Sequence, residues 1–401
     1  MNKQLNNLPV AYVSITKSEV SFSSHELKPE ENVTRVEVAA AEISNLADEL
    51  RQWIQDGKFS KIPKDLKAGT TQFLLSKTEN LSTPFWFVGD LHGDLIALKT
   101  LTDFAREQNK RDGITTPTQL IFVGDFVDGA PFSAEVVAWM MKHWNAEPYA
   151  SPQVYEASSQ LPFKVMATVG NHDDGLVFSE DDTGGRFVSS VLPSSVAEEI
   201  NQRIAHDKGV AWKEFGITAI AFFKALPRML TLDKTVMVAH GGVPHSDVPI
   251  TKAEDLNSPQ ALSDFTWNRL HETAPKKIPN RESHGSQVGI KTFDAFITSL
   301  KDVAEIGFSP KIFVRGHDHH EGNFKHYESY KACQVFTINA FTLNRDYYGQ
   351  KYRDLSLLRW VPNETNKMTI FRLIFENKGL EELWSALIPS GGNDEIHKTI
   401  Q

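Results

Sequence analysis

The stretch FWFVGDLHGDL, Phe85 to Leu95, decides how the rest of the chain is read. Four apolar residues run into Gly89, and Asp90 and His92 follow with one residue between them. An aromatic and β-branched run of this length reads as a strand buried on both faces. An acid and an imidazole at the end of such a strand make sense when a rigid backbone must aim both at one target.

The same pattern recurs further along: QLIFVG (119–124), FKVMATVG (163–170), KTVMVAHGG (234–242) and KIFVRG (311–316). Helical candidates such as Leu95 to Gln108 and Ala134 to Trp144 lie between the runs, which gives an α/β pattern. Upstream, Ile43, Leu46, Ala47, Leu50, Trp53 and Ile54 recur at spacings of three and four, and Gly57 is placed to stop that helix. Residues 1–36 are polar with two strand-like runs, AYVSI and VTRVEV, and carry no assignable role. A Pro- and Ser-rich stretch (145–162) and an acidic SEDDTGG (179–185) read as inserted surface loops. Beyond Val335 the chain reads mostly as strands and ends in a polar tail from Pro389. One catalytic domain over 37–388, an N-terminal segment over 1–36 and a tail over 389–401 is the expected division.

The 401 residues are 40% hydrophobic and 23% charged, an ordinary globular composition. A net charge of -9 leaves no broad cationic surface for nucleic acid or an anionic membrane. No apolar run approaches the ~20 residues that span a bilayer, and the N-terminus lacks the apolar core of a secretory signal. A soluble, cytoplasmic protein is expected. The one cysteine, Cys333, excludes an internal disulfide and a thiolate cluster, so any metal here uses N and O ligands.

At the ends of the five runs stand Asp90 and His92, Asp125 and Asp128, Asn171 and His172, His240, and His317 and His319. Ligands gather at the carboxyl ends of strands in α/β proteins. One Asp-x-His alone is more often a structural pair than a site. Five such ends in succession are not, because burying so many ionisable groups without a cation costs several kcal/mol apiece.

The ordered motifs GDLHGD (89–94), GDFVDG (124–129), GNHD (170–173), HGG (240–242) and RGHDHH (315–320) resemble those of the calcineurin-like metallophosphoesterases, closest to the phosphoprotein phosphatase branch. The resemblance spans about Ile43 to Phe375. It implies a four-layer α/β/β/α sandwich with mixed sheets and a dinuclear metal site at the strand ends. Asp90 and His92 would hold the first ion, Asp125 would bridge, and Asn171, His240 and His317 would hold the second. His319 corresponds to a first-ion ligand only in relatives with a GHxH motif. N and O ligands of this kind suit Mn or an Fe/Zn pair. His172 would protonate the leaving alkoxide, with Asp128 orienting it.

Two departures stand out. The branch reads GDxVDRG, but here Gly129 and Ala130 follow Asp128, so a phosphate-gripping arginine is missing. A second phosphate-binding arginine is best matched by Arg281, with Arg269 as runner-up; Asn171 would also face the phosphate. Arg186 in the TGGR loop is a candidate substitute for the lost residue. The GNHD motif stands where the branch has GNHE, so Asp173 is one methylene shorter.

The resemblance implies a phosphoprotein phosphatase that cleaves phosphate monoesters of Ser/Thr, or of Tyr, by direct attack of a metal-bridging hydroxide. Two alternatives stand beside it: a dinucleoside polyphosphate hydrolase of the diadenosine tetraphosphate type, and a non-catalytic scaffold that recognises phosphate. Some phosphatases of this kind are secreted bacterial effectors acting inside host cells, and the additional N-terminal segment is compatible with that role. His245, His284 and His320 are read as polar-loop or supporting groups, Arg315 as a support of its strand end, and Cys333 as a core residue.

Overall fold

The computed structural model describes residues 10–16, 35–62, 69–74, 83–144, 163–180, 184–192, 194–207, 210–245, 250–279, 284–346, 349–362, 368–375 and 379–388. Two large mixed sheets organise them. The first has seven strands in the spatial order Arg35–Ala39, Val10–Thr16, Met368–Phe375, Leu355–Trp360, Phe85–Val88, Thr118–Phe122 and Phe163–Ala167. The second has six: Phe324–Tyr327, Gln334–Ile338, Ile312–Arg315, Val236–Ala239, Met229–Leu232 and Thr71–Leu74. The five expected runs are all strands, and they divide between the sheets: three lie side by side and parallel in the first, two parallel in the second. The strands at Val10–Thr16 and Arg35–Ala39 add to the edge of the first sheet, where Val10–Thr16 pairs in parallel with Met368–Phe375.

Alternation along each strand explains why these two sheets stack. Trp86 and Val88 join one core with Leu120 and Phe122, whereas Phe85, Phe87, Ile121 and Val123 turn to the opposite side. There they meet Val236, Val238, Ile312 and Val314 of the second sheet, whose Met237, Ala239 and Phe313 point away into a third core. Successive side chains of a strand face opposite ways, so a run apolar at every position must be covered on both faces.

Helices supply the outer covers. They are α1 (Ala40–Gln55), α2 (Leu95–Arg111), α3 (Ser133–His143), the single-turn α4 (Asn171–Gly175), α5 (Val196–Asp207), α6 (Val210–Ala225), α7 (Pro259–Trp267), α8 (Ile290–Ser299) and α9 (Gly379–Leu387). Helices α1, α2, α3, α5, α6 and α9 contribute to the core outside the first sheet, and α7 and α8 to the core outside the second. The result is the four-layer α/β/β/α sandwich. In α1, Ile43, Ala47, Leu50 and Ile54 are buried, and Gly57 follows the helix at φ 65°. Helix α9 lies beyond the strands expected near the C-terminus; Leu380, Leu383 and Trp384 are its buried stripe. Trp384 donates its indole N–H to Thr342 Oγ1 at 3.0 Å. Thr342 in turn donates through N and Oγ1, both at 2.6 Å, to Asp94, which caps α2 by accepting from Ala97 N. The C-terminal helix thereby braces the loop two residues after His92. The Pro- and Ser-rich stretch at 145–162 lies outside the described residues, whereas the acidic insertion is flanked by a hairpin of Leu176–Ser179 and Arg186–Ser189.

Helix α5 rests on α3 through an acid pair. Glu199 accepts from Ala134 N at 3.4 Å and faces the fully buried Glu135, which Arg51 of α1 also engages. Burial and the Glu135 charge push the Glu199 carboxyl well above its ordinary 4.5. A carboxyl raised by folding adds stability below its unfolded value, and that stability drains away as pH climbs through the folded value. Glu199→Gln is therefore expected to raise the melting temperature by about 1–3 °C at pH 8 and to leave it unchanged at pH 4. Thermal melts at both pH values check this; a lower melting temperature at pH 8 would refute it.

Candidate metal centre

The strand ends are tied together before any side chain is considered. Leu91 N and His92 N both donate to Asp125 O at 2.9 Å, which locks the first two strand exits of the first sheet. In the second sheet Gly316 N donates to His240 O at 3.0 Å. Cross-links join the sheets: His317 N donates to Asp90 Oδ2 at 2.8 Å, and His240 Nδ1 to Val123 O at 3.1 Å. The approach at Asp90 leaves room for no side chain at Gly316, whose Cβ would stand 1.8 Å from Asp90 Oδ1.

Four residues of the site hold left-handed backbone without being glycine: His92 at φ 48°, Asp125 at 51°, Asp128 at 72° and His317 at 69°. Such conformations cost on the order of 1–3 kcal/mol each and persist where the surroundings over-determine them. Here the exchange is local strain for direction, since each turns its side chain inward as the strand ends.

The donors fall into overlapping groups. Asp90, His92 and His319 form one, and Asp125, His240 and His317 another, each with its atoms within 4.8 Å; Asp125 also groups with His92 and His172. His92 and His240 each direct Nδ1 at a backbone carbonyl, Val127 O at 3.2 Å and Val123 O at 3.1 Å. That hydrogen bond fixes the tautomer and leaves Nε2 as the lone pair facing the site. His240 Nε2 stands 2.9 Å from Asn171 Oδ1 and 3.1 Å from Asp125 Oδ2. His92 Nε2 stands 3.0 Å from His319 Nε2. Lone-pair atoms at that separation attract only with a proton or a cation between them. Asp90 Oδ1 and His317 Nε2 are buried with no hydrogen-bond partner among the described residues. A donor set of imidazole, carboxylate and amide with two such orphaned atoms fits divalent cations. Burial pushes His92 down to about 4 and His317 well below its usual value, so both imidazoles are neutral donors. Burial, reinforced by Asp125, raises Asp90 to about 7, a cost that a cation would reverse.

Beside these donors lies a second arrangement. His172 Nδ1 meets Asp128 Oδ2 at 2.8 Å, and His172 N donates to Asp125 Oδ1 at 2.9 Å. Burial disfavours a charged His172, but Asp125 and Asp128 outweigh it and raise the imidazole to about 9. Asp125, Asn171, His172, His317, His319 and Arg269 line one cleft of about 210 Å³.

The metal-ligand candidates read from the sequence gather in these overlapping groups, His319 included, with Asn171 placed against His240. Arg281 lies outside the described residues. Arg269 does face the cleft: its Nη1 donates to His317 O and to Asp318, which also pairs with Arg315. Among the described residues its Nε and Nη2 carry no hydrogen bond. Arg315 is buried and donates to Gly241 O and Thr337 Oγ1, a support of its strand end. His320 bonds Tyr327, and His245 sits against Asp264. Asp173 accepts from Asp125 N, Phe126 N and Gly170 N, each at 2.8 Å, so its carboxylate fixes the Asp125 turn. Gly129, where the branch carries arginine, has φ 110°, and a Cβ there would come within 3.2 Å of His92 Cβ. Sequence reasoning missed Phe341, whose ring packs on His92 and His319 at 5.5 and 4.8 Å, and Ser194, which bonds Asp128. Ser195 followed by Glu198 three residues on is the capping signal that would have revealed α5 and its approach to the site.

A sandwich of two mixed sheets with N and O donors gathered at the ends of its central strands is the architecture of a metallophosphoesterase. Residues 83–321 match the calcineurin-like phosphoesterase family, and the chain belongs to it. The family is one of phosphoesterases, and it implies divalent metal ions. The chain is 20% identical over 263 residues to the serine/threonine-protein phosphatase 6 catalytic subunit of Caenorhabditis elegans, a match covering 64% of this chain and 65% of that protein. Its fold resembles a protein serine/threonine phosphatase from Saccharomyces cerevisiae with similarity to human phosphatase PP5, at a TM-score of 0.50 and 15% identity, over 84% of this chain and 90% of that one. No helix among the described residues is long and apolar enough to cross a membrane.

Proposed function

We propose that the chain is a metal-dependent phosphoprotein phosphatase that hydrolyses phosphate monoesters. The observation that carries this reading is Asp125, whose carboxylate belongs to donor groups on both sides of it. In this reading Asp90, His92 and His319 would hold one ion, Asn171, His240 and His317 would hold the other, and Asp125 would serve both. Mn, or an Fe/Zn pair, suits the donors. Two divalent ions supply Lewis acidity at the phosphoryl group and acidify water.

The chain's own residues do the rest. Asp128 holds His172 Nδ1, so the ring presents Nε2–H to the leaving oxygen and delivers the proton that an alkoxide needs. Arg269 offers Nε and Nη2, unbonded among the described residues, to the substrate phosphate, and Asp318 holds its Nη1. Arg281 is a second candidate for that contact, and Asn171 faces the phosphate from the strand end. Phosphorylated protein is the proposed partner; the net charge of -9 argues against nucleic acid.

A panel of pSer, pThr and pTyr peptides and diadenosine tetraphosphate, assayed with several metals, tests the reading. Phosphate release from at least one phosphopeptide is expected, abolished by chelation and restored by Mn. Cleavage of the dinucleotide with no release from any peptide would sink it in favour of a polyphosphate hydrolase.

A further inference from the structure

Asp128 is held from the side opposite His172 by a segment that none of the motifs contains. Its Oδ1 accepts three donors: Ser194 Oγ at 3.0 Å, Ser195 N at 2.7 Å and Val196 N at 2.9 Å. The last two are the amides that open the 12-residue α5, so the positive end of that helix points at the carboxylate. With Oδ1 committed, Oδ2 alone is left for His172 Nδ1, at 2.8 Å. This segment and α3 together secure the backbone around Asp128. Gly129 N donates to Ser195 Oγ at 3.3 Å, and Asp128 N donates to Ser133 Oγ of α3 at 3.1 Å. At the place where the motif lacks its arginine, the turn is therefore stitched to α5.

We propose that Ser194 is a positioning residue for proton delivery: with the α5 amides it fixes the rotation of the Asp128 carboxylate, and through it the imidazole of His172. This rests on the reading of His172 as the acid. A carboxylate with one oxygen saturated cannot swing, so the His172 ring holds Nε2–H in one direction. Removal of the hydroxyl leaves the two amide donors and loosens the hold on the carboxylate's rotation. The loss then falls on turnover of substrates that depend on protonation and spares those that do not.

The test compares two substrates in the metal-loaded enzyme. A phosphoserine peptide has an alkoxide leaving group that needs a proton, and p-nitrophenyl phosphate has a phenolate that leaves without one. Ser194→Ala is expected to lower kcat about tenfold on the phosphoserine peptide, the scale of one hydrogen bond to a charged group, and less than twofold on p-nitrophenyl phosphate. KM and metal content stay unchanged, and Ser194→Thr restores turnover. Equal losses on both substrates would mark Ser194 as merely structural and overturn the proposal. His172→Ala, run beside it, separates the two readings. If His172→Ala shows the leaving-group dependence and Ser194→Ala does not, the role of Ser194 fails and the acid assignment survives. If His172→Ala shows no such dependence, both fail.

Discussion

Asp125→Asn is expected to lower phosphate release by at least about a thousandfold, some 4 kcal/mol of transition-state stabilisation, and to reduce bound metal from two ions to one or fewer. The substitution keeps the size of the side chain and a carbonyl oxygen that still accepts from His172 N, so the turn need not move. What it removes is the charge shared by the donor groups around His92 and around His240. Asp125 is only 2% exposed, so no solvent replaces that charge. Elemental analysis of the variant beside a phosphatase assay decides the matter. Two retained ions with unimpaired turnover would remove Asp125 from the bridging position.

His172→Ala is expected to cost on the order of 10²–10⁴ in kcat on alkyl phosphates, the usual contribution of a positioned acid, with metal content unchanged. The second half of that expectation carries the discrimination. His172 shares a donor group with His92 and Asp125, so by distance alone it could serve as a ligand. Its Nδ1 faces the carboxylate of Asp128 rather than a backbone carbonyl, however, which favours the imidazolium form, whose Nε2 carries a proton and no lone pair for a cation. A ligand would lower metal content when truncated; an acid would not.

Most of the site was legible because its signal is local. A run such as FWFV ending in Gly and Asp states that a buried strand exits into chemistry, and the same statement was made five times in order. What was not legible is non-local. FWFV and VMVA are equally apolar at every position, so nothing in either run tells which sheet it joins, although the division between sheets brings His240 beside Asp125. The left-handed backbone at His92, Asp125 and His317 leaves little trace, since even Asp and His, though several-fold enriched there, adopt it in a small minority of positions. The fixing of the Asp125 turn by Asp173 was hidden for a related reason: a carboxylate that accepts three amides looks, in one dimension, like any acid after a histidine. Helix α9 was passed over because its stripe of Leu380, Leu383 and Trp384 is short and follows a long series of strands.

The conformation of Gly129 bears on what this enzyme could become. An arginine introduced there by a single codon change would inherit φ 110° and press its Cβ toward His92, so it would arrive misdirected and disturb the turn that receives it. Conversion to the arginine-bearing form of the loop would require the backbone to be rebuilt first. Any route to a further phosphate-gripping arginine therefore starts from a wall of the cleft other than this turn.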